Sequence, residues 1–216
     1  MIDTILFDLD GTLIDSIELI RLSYVHTLKV HRDLEPPHDF WLAGLGRPLR
    51  WQFAQFTADE REIEAMVATY RTYNLARHDE MVTAFSGAVE AVRALKARGA
   101  KLGIVTSKFR EGAFRGLRHA GFGDELFDVV VGADDVALHK PDPAPVLMAL
   151  AQLDVAPERA VMVGDSPHDL ASGRDAGTAT AAVAWGPFPR AELLATRPTF
   201  WLERTDEIAA LFTSAR

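Results

Sequence analysis

"TILFDLDGTLIDS", residues 4–16, carries an apolar, β-branched run straight into two aspartates and then turns at a glycine. Burying a carboxylate costs several kcal/mol unless a partner compensates it. Asp8 and Asp10 stand two residues apart, so on extended backbone both point to the same side, and Gly11 permits the sharp turn that follows. An Asp-Gly pair between apolar residues also serves simply as a turn. What separates the two readings lies further along the chain.

Four more runs of strand length follow, at 101–106 (KLGIVT), 128–133 (DVVVGA), 160–165 (AVMVGD) and 181–185 (AAVAW). Helix-period segments alternate with them at 87–98, 111–120, 143–152 and 167–176, two of them closed by Gly121 and Gly177. Alternation of this kind predicts an α/β fold, a doubly wound, Rossmann-like parallel sheet with helices on both faces. Strands covered on both sides read as continuous apolar runs, as these do.

Residues 15–83 break the rhythm. "SIELIRLSYVHTL" (16–28) and "EREIEAMVATYRTYNLA" (60–76) are amphipathic at the 3.6-residue period, and no convincing strand lies between them. The reading is a helical insertion over 15–83 in an α/β core made of 1–14 and 84–216, with crossings near 14–17 and 80–85.

At 216 residues, with 48% hydrophobic and 25% charged residues, the chain is large enough for one such domain carrying an insertion. Its 31 acids outnumber 23 bases, and no run of Lys or Arg is long enough to follow a phosphate backbone, so nucleic acid is not expected as a partner. The absence of cysteine excludes disulfides, thiolate metal sites and cysteine nucleophiles. No apolar run approaches the roughly 18 residues of a membrane span, and no secretory signal pattern is present. A cytoplasmic enzyme, monomeric or a small homo-oligomer, with no membrane partner, is the expectation.

Ligands of open parallel sheets bind beyond the carboxyl ends of the strands. Those ends carry Asp8 and Asp10, then Thr106, Ser107 and Lys108, then Lys140, and finally Asp165, Ser166 and Asp169. Carboxylates gathered there repel one another, and a divalent cation plus a lysine relieves them. Mg²⁺ suits the set because it takes one or two carboxylates and keeps places for phosphate oxygens and water. A transferring phosphoryl group needs its oxygens held and neutralised, which fits the Thr106 hydroxyl, backbone N–H groups near Ser107 and Lys108, and the Lys140 ammonium. Plainer roles exist for some of these: Thr106 and Ser166 could cap the helices that follow, and an acid such as Asp169 is favoured in a first helical turn anyway. His139 and His168 lie beside the proposed site as neighbours.

The motifs D-x-D-G-T at 8–12, T-S at 106–107, K-P at 140–141 and G-D-S-x-x-D at 164–169 together resemble the four motifs of the haloacid dehalogenase superfamily, in order. The resemblance implies a Mg²⁺-dependent phosphatase in which Asp8 is the nucleophile and Asp10 the general acid and then base. It implies that Thr106 and Lys140 hold the phosphoryl group, that Asp8, Asp165 and the Asp10 carbonyl bind the metal, and that Ser166 and Asp169 support metal and lysine from behind. Gly11, Ser107 and Lys108 become candidate substrate contacts, and the insertion takes the place of the family's helical cap. "YRTYN…HDE", "KLGIVTSK" and "MVGDSPHDLASGRDAGTATAAVAWG" are similar to the pyrophosphatase branch, close to the phosphoglycolate phosphatases.

A receiver module phosphorylated on aspartate would need only about 120 residues, and a dehalogenase of this fold would lack the second aspartate. A phosphomutase stays open. The insertion offers Arg47 and Arg50 in "GRPLR" and Arg71 beside Tyr70 and Asn74, a cationic set rather than a sugar-binding one. The expected substrate is therefore a small anionic phosphate compound, and the resemblance in "YRTYN…HDE" puts inorganic pyrophosphate ahead of phosphoglycolate or another phosphomonoester. Arg47, on its glycine-flanked loop, is the candidate contact to the leaving group, although an arginine on such a loop can equally be solvated.

Overall fold

A computed structural model of the chain describes residues 1–37 and 40–213. Its elements run β1 (Thr4–Phe7), β2 (Ile14–Asp15), α1 (Ile17–Arg32), α2 (Leu49–Phe53), α3 (Glu60–Met81) and β3 (Thr83–Ala84). They continue as α4 (Ala88–Ala97), β4 (Lys101–Val105), α5 (Arg110–His119), β5 (Val129–Val131), α6 (Ala144–Leu153), β6 (Ala160–Gly164) and α7 (Pro167–Asp175). The chain closes with β7 (Ala179–Val183), α8 (Arg190–Ala195) and β8 (Phe200–Leu202). Six strands form one sheet in the order β5-β4-β1-β6-β7-β8, every pairing parallel. This is the doubly wound α/β sheet that the alternation predicts.

Side-chain alternation along each strand divides the interior in two. Ile5, Phe7, Ile104, Val130, Val161 and Val163 join Val92 and Leu95 of α4 and Ala113 and Leu117 of α5. Leu6, Val105, Val129, Val131 and Met162 point the other way and join Val146, Leu150 and Leu153 of α6. Both layers are closed, so β1 is fully buried and its carboxyl end can hold charged groups away from bulk water.

The four core helices start and stop within a residue of their sequence boundaries, whereas most strands end earlier than the apolar runs do. At those ends the backbone leaves the ladder to form the site loops, as at Asp8 after β1 and Asp165 after β6. β8 and α8 had no clear sequence signal. β8 is a three-residue edge strand whose Phe200 and Trp201 are only half-buried, and short edge strands carry little apolar patterning.

Helices α1, α2 and α3 lie between β2 and β3. These two-residue strands pair antiparallel, Ile14 with Ala84 and Asp15 with Thr83, and a further bond runs from the Phe85 N–H to the Leu13 carbonyl at 3.1 Å. Two strands were missed here because a two-residue ribbon has no period to read. Tyr24, Phe53, Ile63, Met66 and Tyr70 of the helical segment share one buried cluster with Leu170, Ala182, Phe188 and Leu193 of the core, with Tyr24 and Phe53 stacked at 5.7 Å. Among the described residues no helix is long and apolar enough to cross a membrane.

Candidate active site

The carboxyl ends of β1, β4 and β6 open together into a cavity of about 280 Å³, roofed by residues of the α1–α3 segment. Asp8, Asp10, Thr106, Ser107, Lys108 and Asp165 line it from the sheet, and Arg47, Tyr70, Arg71 and Asn74 from above.

Lys140 is the buried hub on the sheet side. Its Nζ donates to Asp8 Oδ1 at 2.8 Å and to the Val105 carbonyl at 2.9 Å, and it lies 2.6 Å from Asp169 Oδ1. Burial works to lower the Lys140 ammonium, but Asp169 and Asp8 outweigh it and hold the group above its ordinary value. Asp8 shows the opposite balance. Burial pushes its carboxyl up to about 7, Lys140 pulling against this and Asp169 and Asp10 adding to it. Asp165, equally buried and facing Asp169 and Asp8, is raised well above the carboxylate range.

Asp169 is fixed by its position in the first turn of α7. Its Oδ2 accepts from the Ser166 N–H at 3.0 Å and the Ser166 hydroxyl at 2.6 Å, while Ser166 Oγ accepts from the Asp169 N–H. This reciprocal cap puts the second oxygen of Asp169 on Lys140. Asp165 is held by Thr12, whose hydroxyl donates to Oδ1 at 2.7 Å. Gly11 passes directly over it: φ is +88°, and a Cβ there would lie 2.6 Å from Asp165 Oδ2. A Cβ on Gly186 would strike Asp165 from another side. Thr12 and Gly186 were not singled out from sequence, although Thr12 closes the D-x-D-G-T motif.

Oxygens of Asp8, Asp165 and Asp169 all fall within 4.8 Å of one another. Three buried carboxylates against one buried ammonium leave a negative excess made of hard oxygen donors, which is the environment Mg²⁺ fits. The Asp10 carboxylate stands apart from that cluster. Its Oδ1 accepts from Ser16 Oγ at 2.5 Å and from Lys108 Nζ at 2.7 Å.

Thr106 follows β4 with its hydroxyl accepting the Lys108 N–H at 3.1 Å, so it shapes the loop rather than capping α5, which begins at Arg110. The Ser107 hydroxyl donates to the Gly46 carbonyl at 2.5 Å. Arg47 lines the cavity with its Nε buried and without a hydrogen-bond partner, its guanidinium 5.0 Å from the Trp51 ring. Arg50, although it borders the cavity, is exposed and ion-paired with Glu60 and Glu64. Arg71 sits 4.8 Å over the ring of Phe109, across the boundary between the helical segment and the sheet. His139 lines the cavity and His168 lies against Gly46.

The model of the haloacid dehalogenase-like hydrolases matches residues 5–183. The chain belongs to that family. The pyrophosphatase PpaX of Bacillus cereus strain B4264 is 43% identical over 213 residues, covering 99% of this chain and 97% of its own. PpaX of Bacillus thuringiensis strain Al Hakam is 42% identical over 212 residues, 98% of this chain and 97% of its own. Among solved structures, a haloacid dehalogenase-like hydrolase from Bacteroides fragilis superposes with a TM-score of 0.89 at 26% identity, covering 96% of this chain and 100% of its own. A protein from Haemophilus somnus named a predicted phosphoglycolate phosphatase shares the fold, with a TM-score of 0.85 at 24% identity over 97% of each chain. As a haloacid dehalogenase-like hydrolase, the chain has its buried Asp8–Lys140–Asp169 group where the motifs converge.

Proposed function

We propose that this hydrolase is a Mg²⁺-dependent phosphatase acting through an aspartyl-phosphate, and that its substrate is inorganic pyrophosphate. One observation carries the substrate reading: Arg47 brings a buried Nε without a hydrogen-bond partner into the same small cavity as Asp8. A buried unsatisfied donor is costly, and an anion above Asp8 would satisfy it. Pockets for drug-sized ligands begin near 300 Å³, so a cavity of about 280 Å³ favours a small molecule. The PpaX relatives add support to pyrophosphate.

The Asp8 and Asp165 carboxylates and the Asp10 carbonyl would hold Mg²⁺, while Asp169 is taken up by Lys140 and Ser166. Bound there, the ion would neutralise carboxylate and phosphoryl charge. An Asp8 oxygen attacks phosphorus; as the new P–O bond forms, the bond to the departing phosphate breaks and Asp10, which enters this step in its acid form, supplies that oxygen with its proton. Water then attacks the phosphorus of the aspartyl-phosphate, gives its proton to Asp10, and frees the Asp8 carboxylate. Lys140 stabilises the Asp8 oxygen throughout, and the Thr106 side of the loop faces the phosphoryl group. Residues 15–83 act as a lid over the 1–14 and 84–216 core, excluding water while the transfer proceeds.

Phosphoglycolate presents a single carboxylate to the same arginine and is the alternative substrate. The test is phosphate release from pyrophosphate, phosphoglycolate, hexose phosphates and an aryl phosphate, by wild type and Arg47→Ala. Preference for the two small anions, lost with Arg47, supports the reading. Faster turnover of hexose phosphates, or an equal effect of Arg47→Ala on anionic and aryl substrates, rejects it.

A further inference from the structure

The loop that carries Arg47 is gripped from two sides. From the sheet, the Ser107 hydroxyl donates to the Gly46 carbonyl at 2.5 Å. From the helical segment, Gln52 Nε2 donates to the next carbonyl, that of Arg47, at 2.9 Å. Gly46 adopts φ +84°, which favours glycine, and a Cβ there would sit 3.5 Å from both His168 Cδ2 and Ser166 Oγ. The loop is therefore seated between the end of β4 and the start of α7. Pro48 restrains the backbone immediately after Arg47.

We propose that the Ser107 hydroxyl is a positioning group: by holding the Gly46 carbonyl it fixes where Arg47 stands above Asp8. The side chain then serves the leaving-group site through the lid and does not bind the transferring phosphoryl group. A serine in the loop after β4 is well placed for this, since Thr106 beside it turns the backbone and Ser107 is left facing the lid. The same hydrogen bond links lid closure to the appearance of the arginine, because the loop cannot reach Ser107 until the α1–α3 segment lies over the sheet. This inference rests on Arg47 acting on the leaving group.

A double-mutant cycle tests it, with pyrophosphate as substrate and purified full-length enzyme. Ser107→Ala should lower kcat/KM about three- to tenfold, the loss expected for one neutral hydrogen bond, mostly through KM. Ser107→Thr, which keeps the hydroxyl, should restore most of it. In the Arg47→Ala background the same Ser107→Ala change should cost less than about twofold, because the residue it positions is gone. An equal cost in both backgrounds, or no cost in the wild-type background, overturns the inference and leaves the Arg47 reading standing. If Arg47→Ala alone costs nothing, the leaving-group reading itself has failed, and this positioning role goes with it.

Discussion

Lys108 Nζ lies 2.7 Å from Asp10 Oδ1, the same oxygen that accepts the Ser16 hydroxyl at 2.5 Å. Both side chains of the ion pair are mostly buried, at 14% and 15% exposed, so the pair is shielded from salt more than a surface pair would be. Lys108 therefore holds the carboxylate that the mechanism uses as acid and base. Lys108→Met should lower kcat/KM about ten- to a hundredfold, the range for losing one charged hydrogen bond, and Lys108→Arg should retain more activity than Met does. Steady-state phosphate release measures it. A Lys108→Met enzyme within twofold of wild type would remove the lysine from the acid–base step.

The covalent route separates the two aspartates. Asp8→Asn is nearly isosteric and should keep the fold while lowering turnover by at least about a thousandfold. Asp10→Asn leaves the nucleophile in place. With an activated aryl phosphate, whose leaving group needs no proton, it should accumulate phosphate on Asp8 because water then lacks its base. Intact-mass measurement after acid quench distinguishes the two. No added phosphate on Asp10→Asn under those conditions would contradict the assigned roles.

The sheet was readable because its signal is local: each buried strand is its own apolar run, and each core helix supplies its own period, two of them with a glycine stop. Asp8, Lys140 and Asp165 were readable because polar groups at strand ends are conspicuous against that background. The partners that aim them were harder to see. Thr12 reaches Asp165 across 153 positions, and Ser107 reaches Gly46 across 61, and no period or spacing in a sequence encodes such a pairing. Arg50 borders the cavity as read, but its charge is already engaged by Glu60 and Glu64 of α3. Charge sign alone cannot tell a ligand contact from a surface pair.

Metal binding should depend on pH through the buried carboxylates. Burial raises Asp8 to about 7 and Asp165 well above its ordinary value. In the folded chain these groups keep protons that the unfolded chain has lost by about pH 4, so their contribution to stability is full below that point and is lost as pH rises through about 7 for Asp8. His78 and His139, both lowered by burial, act oppositely: their contribution is full above about 6.5, the ordinary histidine value, and is lost as pH falls below it. Comparing melting with and without Mg²⁺ isolates the carboxylates, because protons compete with the ion for them. Above pH 7.5, Mg²⁺ at a hundred times its Kd should raise Tm by about 5–10 °C, and near pH 5 the shift should shrink towards zero. Asp165→Asn should flatten that dependence. A Tm shift independent of pH would place the ion elsewhere.

The last prediction concerns the lid and follows from what ties it down. Residues 15–83 are joined to the sheet by the ribbon of Ile14 with Ala84 and Asp15 with Thr83. They touch it again at Ser107–Gly46, at Arg71 over Phe109, and where Arg115 of α5 binds Asp79 of α3 at 3.1 Å. Those three contacts are polar or cationic, but the buried Tyr24–Phe53–Tyr70 cluster also takes in Leu170, Ala182, Phe188 and Leu193 of the sheet domain, so opening has to part that apolar seam as well. The ribbon is the hinge expected of such an arrangement: two residues per strand resist fraying but little else. Opening should expose the helix ends beside it, where Glu18 and Glu80 are already at the surface. A glutamate-specific protease should therefore cut the ligand-free chain there, and Mg²⁺ with a phosphate-mimicking fluoride complex should slow that cleavage several-fold by holding Arg47 and its loop over Asp8. Ser107→Ala should weaken this protection. Cleavage at the same rate with and without the complex would mean that the helical segment does not move, and access to Asp8 would then have to come through the cavity mouth as it stands.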